Sequence, residues 1–170
     1  MGRCMIVRQW YAHLDSYDTI RRIMALLSRW SRPAPTLERL FICDFFLASP
    51  ALLHETHMPG PIREAFRSFQ IARPAAEFLS YPAAPVLFAK MEGVQRDALQ
   101  TLLGKGLLDF ELFRQGRVAL QQSYNEESVL PHLTDRESLA ADFIAAYFAT
   151  IGENEPGALR NSTGLRRAGA

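Results

Sequence analysis

The segment TLERLFICDFFLA, residues 36–48, decides the fold because its middle is apolar on nearly every side. A helix that is apolar all round must be covered by other elements on all of its faces. Thr36 can supply a side-chain oxygen as the N-cap, and Pro50 stands just beyond the end. The sequence therefore predicts a mainly α-helical domain in which this segment is the central helix.

Asp44 is the one charged residue inside the apolar middle of this helix. A buried carboxylate must be paired or hydrogen-bonded, since an isolated charge in an apolar environment is strongly unfavourable. A catalytic carboxylate would need companions that the sequence does not show. We therefore expect Asp44 to have a structural partner elsewhere in the fold.

Further segments carry the apolar stripe of a helix on both sides of the central one. Asp15 or Ser16 can cap a predicted helix at residues 15–30. A second predicted helix, at residues 134–151, begins with the Thr134 and Glu137 pair that is typical of a capping box. Short helices are also predicted at residues 61–69 and 72–85, where prolines mark the boundaries. Residues 85–91 are apolar but of uncertain type.

The stretch GKGLLDFELFRQGRVALQQ, residues 104–122, follows a predicted helix at 93–105 and alternates like two strands on either side of Gln115-Gly116. A helix followed by a β-hairpin is the pattern of a winged helix. The sequence thus predicts a mainly α fold with a small β-hairpin: one helical domain over 1–151, with a winged-helix-like unit at about 85–122. The polar, glycine-rich residues 152–170 are predicted to be a flexible C-terminal tail.

Charge gives little support for DNA reading. The 170 residues contain 19 Lys and Arg against 18 Asp and Glu, so the chain lacks the basic field of non-specific nucleic-acid binding. The winged-helix-like unit mixes its basic residues with Asp109 and Glu111, while residues 1–33 are more basic. We interpret the unit as a protein-binding module, with a stand-alone winged-helix DNA-binding transcriptional regulator as the alternative. The candidate contacts for DNA or a partner are Arg21, Arg22, Arg29, Lys105, Arg114 and Arg117.

Motifs of catalysis and cofactor binding are not found in the sequence. Gly104-Lys105-Gly106 lacks the spacing of a phosphate-binding loop, and His54 and His57 lack the further ligands that zinc requires. We therefore predict that the chain is not an enzyme and binds no metal and no cofactor.

Cysteine use and hydropathy suggest where the chain acts. Cys4 and Cys43 do not form a disulfide framework, which fits a reducing compartment. The apolar run at 40–48 is too short to cross a bilayer. We expect a cytoplasmic protein without a membrane segment.

Several motifs in fixed order carry a resemblance to a known family. They are YDTIRRIMALL, LERLFICDFFLASPALL, MEGVQRDALQTLLGKGLLD, GRVAL and LRNSTGLRR, and together they span roughly residues 9–167. In this order the chain resembles the middle component of ABC-three-component systems, bacterial anti-invader modules that overlap the Lamassu type. It departs from that pattern after Arg167, where it ends in Ala-Gly-Ala.

The resemblance implies a small non-catalytic subunit in an antiviral defence complex. Its partners would be an SMC-like or Rad50-like ABC ATPase and an effector subunit, often a nuclease. DNA would reach it only through the complex. The resemblance also implies that the tail orders on a partner, with Thr163, Gly164, Leu165, Arg166 and Arg167 as partner-binding candidates.

Overall fold

The computed structural model describes residues 12–73, 83–124 and 132–165. Most of the predicted helix at 72–85 lies outside these residues. Within them the fold is mainly helical, with 3-10 turns at Ala12–Leu14, Pro50–Glu55 and Phe148–Thr150. The α-helices are α1 (Ser16–Ser28), α2 (Leu37–Ala48), α3 (Gly60–Ser68), α4 (Ala84–Gly104), α5 (Phe110–Arg114), α6 (Asp135–Ala146) and α7 (Ala158–Thr163).

Helix α2 is the central element of the core, as its all-round apolar character predicted. Every residue from 40 to 47 is buried, and α2 packs against α1, α4 and α6. Edge-to-face aromatic contacts fasten it to its neighbours: the ring of Phe45 lies 5.7 Å from that of Phe88 in α4, and the ring of Phe46 lies 5.0 Å from that of Phe148.

The predicted N-caps are confirmed. The Asp15 side chain accepts a hydrogen bond from the backbone of Asp18, and that of Thr36 accepts one from Arg39. At the start of α6, Thr134 and Glu137 form both hydrogen bonds of a capping box. Each cap satisfies an N–H group that has no partner within its own helix.

Helix α4 is longer than predicted. The segment at 85–91 and the helix at 93–105 join into one helix, Ala84–Gly104, of 21 residues. It passes through Gly93, although a glycine inside a helix costs about 1 kcal/mol relative to alanine. The buried face that includes Leu87, Met91 and Leu99 offsets this cost.

The predictions of a β-hairpin and a winged helix are wrong, because the described residues contain no strand. The Asp109 side chain accepts a hydrogen bond from the Leu112 backbone at 2.9 Å and so starts α5 where the first strand was expected. Of the predicted pairing, one isolated antiparallel bridge between Leu108 and Leu120 is present. A capped helical turn therefore replaces the first strand of the wing.

Residues 152–165 pack against the helical core. Leu159 in α7 is 3% exposed and Leu165 is 1% exposed, and both belong to the hydrophobic core. The expectation of a flexible tail, drawn from polar composition, is therefore wrong for these residues. The boundary between a domain at 1–151 and a tail at 152–170 stays a prediction.

Gly152 makes this packing possible. Its backbone has φ +56°, in the left-handed region, and a Cβ placed on it would lie 2.0 Å from the Cβ of Ala158. A side chain would meet both a conformational and a steric obstacle at this position. The glycine thus allows residues 153–160 to fold back closely onto the end of α6 and the following turn.

None of the helices in the described ranges combines the length and apolar character that a bilayer crossing requires.

Candidate partner-binding surface

A buried ion pair joins α1 to α2. The Arg22 Nε donates to Asp44 Oδ1 at 2.7 Å, and the side chains of Arg22 and Asp44 are 2% and 0% exposed. The same guanidinium donates to Asp18 at 2.6 Å, to the Ala12 carbonyl and to the Thr19 hydroxyl. This confirms the expected structural partner of Asp44.

Arg22 stays charged in this environment. Burial by itself would lower the pKa of Arg22, but the carboxylates of Asp44 and Asp18 outweigh burial and raise it above its ordinary value. Gln95 of α4 completes the cluster by donating to Asp44 at 2.8 Å and to the Phe41 carbonyl at 3.1 Å. A contact between Arg22 and DNA would require this cluster to open.

Arg21 in α1 and Arg29 at its C-cap connect α1 to α6. Arg21 lies between Asp18 and Glu137, and Arg29 donates to Asp142 at 2.6 Å and to Ser138. Hydrogen bonding to Arg21 lowers the pKa of Glu137 to about 2. Both arginines thus form inter-helix ion pairs at the partly exposed edge of the bundle.

The remaining basic candidates are exposed but lie in different settings. Lys105 is the C-cap residue of α4, and Arg114 lies 3.8 Å from Glu111 with its guanidinium 6.0 Å from the centre of the Phe110 ring. Arg117 donates to the Ala34 carbonyl at 2.7 Å and so approaches the connector between α1 and α2. Whether any of them contacts DNA or a partner stays a prediction.

The described tail candidates lie at the end of α7 and differ in exposure. Thr163 donates to the Leu159 carbonyl at the end of α7, Gly164 ends that helix in the left-handed conformation, and Leu165 is buried. Arg166 and Arg167 lie outside the described residues. The partner-binding role of this motif stays a prediction.

A groove of about 830 Å³ lies between the connector and the segment before α7. One wall is formed by residues between Trp30 and Arg39, and the other by residues between Glu153 and Arg160. Arg117 also lines it. We call this surface the groove.

The groove carries four arginines and three glutamates. Arg32 pairs with Glu153 at 3.0 Å, and Arg160 Nε lies 2.7 Å from Glu38 Oε1, close enough for an ion pair but without hydrogen-bond alignment. These two pairs bridge the walls and leave Glu155 as the third carboxylate.

Arg39 and Arg117 form no ion pair within the described part of the chain. Arg39 donates to the carbonyls of Ala149, Ile151 and Gly152 and so caps the turn after α6. Its Nε–H and one other N–H have no acceptor among the described residues. Arg117 uses one N–H, on the Ala34 carbonyl. The groove therefore presents cationic N–H donors that carbonyl groups only partly satisfy.

Sequence reasoning missed most of this groove. In the sequence Arg32 belongs to the basic stretch at 1–33, and Arg39 and Arg160 belong to no motif. The two walls are more than 110 positions apart in the sequence, and no motif links them. Two signals were available: Arg117, which was a predicted contact, and Pro33-Ala34-Pro35, which marks a rigid connector.

No cluster that could hold a metal is present in the ranges that the structure describes. His54 Nε2 donates to the Ile71 carbonyl at 2.8 Å, and the His54 ring packs on Phe66. Burial raises the pKa of the Cys43 thiol to about 12, so that it is not a reactive thiolate at neutral pH. These residues are explained by packing.

The protein is thus small and helical, with a charged groove between distant parts of its chain. Its sequence matches, over residues 9–168, the family model described as ABC-three component (ABC-3C) system Middle Component 5. The chain belongs to this family. No curated protein and no solved structure matches it.

Proposed function

We propose that this chain is a non-catalytic accessory subunit that couples an SMC-like or Rad50-like ABC ATPase to an effector subunit, such as a nuclease, in a bacterial complex that acts against phage and plasmids. The observation that carries the proposal is the family match, which covers 9–168 of the 170 residues and describes a middle component of a three-component system.

The side-chain chemistry supports a binding role. Polar and charged groups in the core, such as Arg22, Asp44 and Gln95, serve to join helices. The groove offers charge and shape and no recognisable acid–base pair or nucleophile. Such a surface suits attachment to another protein.

A stand-alone transcriptional regulator has lost its main support. That alternative depended on a winged helix, and the described residues show a helical turn in place of the wing. Arg21, Arg22 and Arg29, which could have contacted phosphate, are engaged in ion pairs with carboxylates of the same chain. DNA would then be contacted by the complex.

Co-expression with an ATPase subunit and an effector subunit of an ABC-three-component system tests the proposal. The tagged chain should co-purify with the ATPase subunit through size-exclusion chromatography, and deleting its gene should abolish protection against phage while leaving the ATPase soluble. A 20-base-pair duplex should bind the isolated chain much more weakly than the complex, with both measured at the same salt concentration.

Two results would overturn this view. One is a tight, salt-sensitive complex of the isolated chain with duplex DNA. The other is full protection against phage by a strain in which only this gene has been removed, since a coupling subunit is required for the response of the whole complex.

A further inference from the structure

We propose that the groove binds an acidic peptide segment of a partner protein, with its carboxylates on Arg117 and Arg39. The inference rests on the proposed function for the identity of the partner, but the chemistry of the groove is argued from its own residues.

The cationic donors are available to a ligand. Arg117 is exposed, and within the described residues one of its five N–H donors is used, by the Ala34 carbonyl. Arg39 is half-buried, and two of its N–H donors have no acceptor among the residues that the structure describes. Guanidinium groups with unused N–H donors bind carboxylates in a forked geometry, which fixes the ligand as well as attracting it.

The rest of the groove suits a peptide backbone and its side chains. Trp30 and Pro33 give apolar surface, and the Trp30 indole is held by its hydrogen bond to the Pro33 carbonyl at 3.2 Å. Aromatic residues and arginine are the types that are enriched at protein interfaces. The pairs Arg32–Glu153 and Arg160–Glu38 connect the two walls, so the groove is formed before a ligand arrives.

Charge favours a peptide over nucleic acid as the occupant. Glu38, Glu153 and Glu155 line the same groove and would repel a continuous phosphate backbone. A peptide can place its few carboxylates beside the arginines and its neutral residues beside the glutamates. The excess of positive charge is small and local, which a short acidic segment matches.

The test titrates the isolated chain with an acetylated tetraglutamate peptide. Binding is measured by NMR from the chemical shifts of the indole and arginine N–H groups. We expect saturable shifts at Trp30, Arg39 and Arg117. Arg117→Glu should weaken binding about tenfold, since it turns attraction into repulsion at one site. Arg114→Glu makes the same change of charge outside the groove and should alter binding less than twofold.

Three outcomes overturn the proposal: no saturation at millimolar peptide, equal weakening by Arg117→Glu and Arg114→Glu, or tighter binding of a DNA duplex at the same N–H groups. The peptide experiment needs no other subunit. Its failure therefore leaves co-purification with the ATPase subunit as an independent result, and loss of co-purification leaves peptide binding intact.

Discussion

Asp44→Asn should destabilise the fold by about 3 kcal/mol, because it leaves the buried charge of Arg22 without its main partner. Breaking a buried ion pair by removing one partner costs about 3–5 kcal/mol. The lower end applies here, because Asp18 still accepts from Arg22 at 2.6 Å and keeps part of the charge compensated. A loss of this size is a large fraction of the about 5–15 kcal/mol that holds most domains together.

Urea unfolding followed by circular dichroism measures this effect. Arg22→Met should cost at least as much, since it leaves a buried carboxylate with Gln95 as its remaining donor in the cluster. The double variant Arg22→Met/Asp44→Asn should lose less than the sum of the two single losses by about 2 kcal/mol or more, because neither charge is left alone. A loss below 1 kcal/mol in Asp44→Asn, or simple additivity, would refute the reasoning.

Three further predictions concern α6, α7 and the core. Because Glu137 has a folded pKa of about 2, below its ordinary 4.5, its contribution to stability is complete above pH 4.5 and is lost as pH falls through about 2. When the urea midpoint is measured as a function of pH, its decline in acid should be smaller in Glu137→Gln, which keeps the capping box. An unchanged decline would contradict this. Leu159→Ala should lower the unfolding free energy by about 2–5 kcal/mol, because it leaves a cavity in the core. Asn161 is exposed in the same helix, so Asn161→Ala should change the unfolding free energy by less than about 0.5 kcal/mol. Equal losses would show that α7 is not packed. In a Cys4→Ser variant at pH 8, Cys43 should resist iodoacetamide until urea unfolds the protein, because its thiol is buried with a pKa of about 12; rapid labelling of the folded protein would count against this.

Features set by a few neighbouring residues could be predicted from the sequence. The caps at Asp15, Thr36 and Thr134 depend on side chains three residues from the N–H groups they bind. The central position of α2 followed from apolar side chains on all its faces. The need for a partner at Asp44 followed from the cost of a buried charge.

Other features depended on tertiary contacts that no local pattern displays. The alternation of apolar and polar residues over 107–112 resembled a strand. The Asp109 cap and the short distance to the next turn instead favoured helix α5. Leu159 and Leu165 are two apolar residues in a polar stretch, and only the fold shows that the core has room for them. The groove is formed by segments that are far apart in the chain.

Gly152 influences the shape of the groove, although it does not line it. Its missing methyl group lets Ala158 approach, and its carbonyl accepts from Arg39 at 3.0 Å, so one residue sets both the path of the second wall and the orientation of a groove arginine. The shape of the groove that a ligand meets therefore depends on how this turn packs on the hydrophobic core. Substitutions at the turn should change the shape of the groove as readily as substitutions in the groove itself. Recognition by shape and recognition by charge thus depend on different positions in the chain.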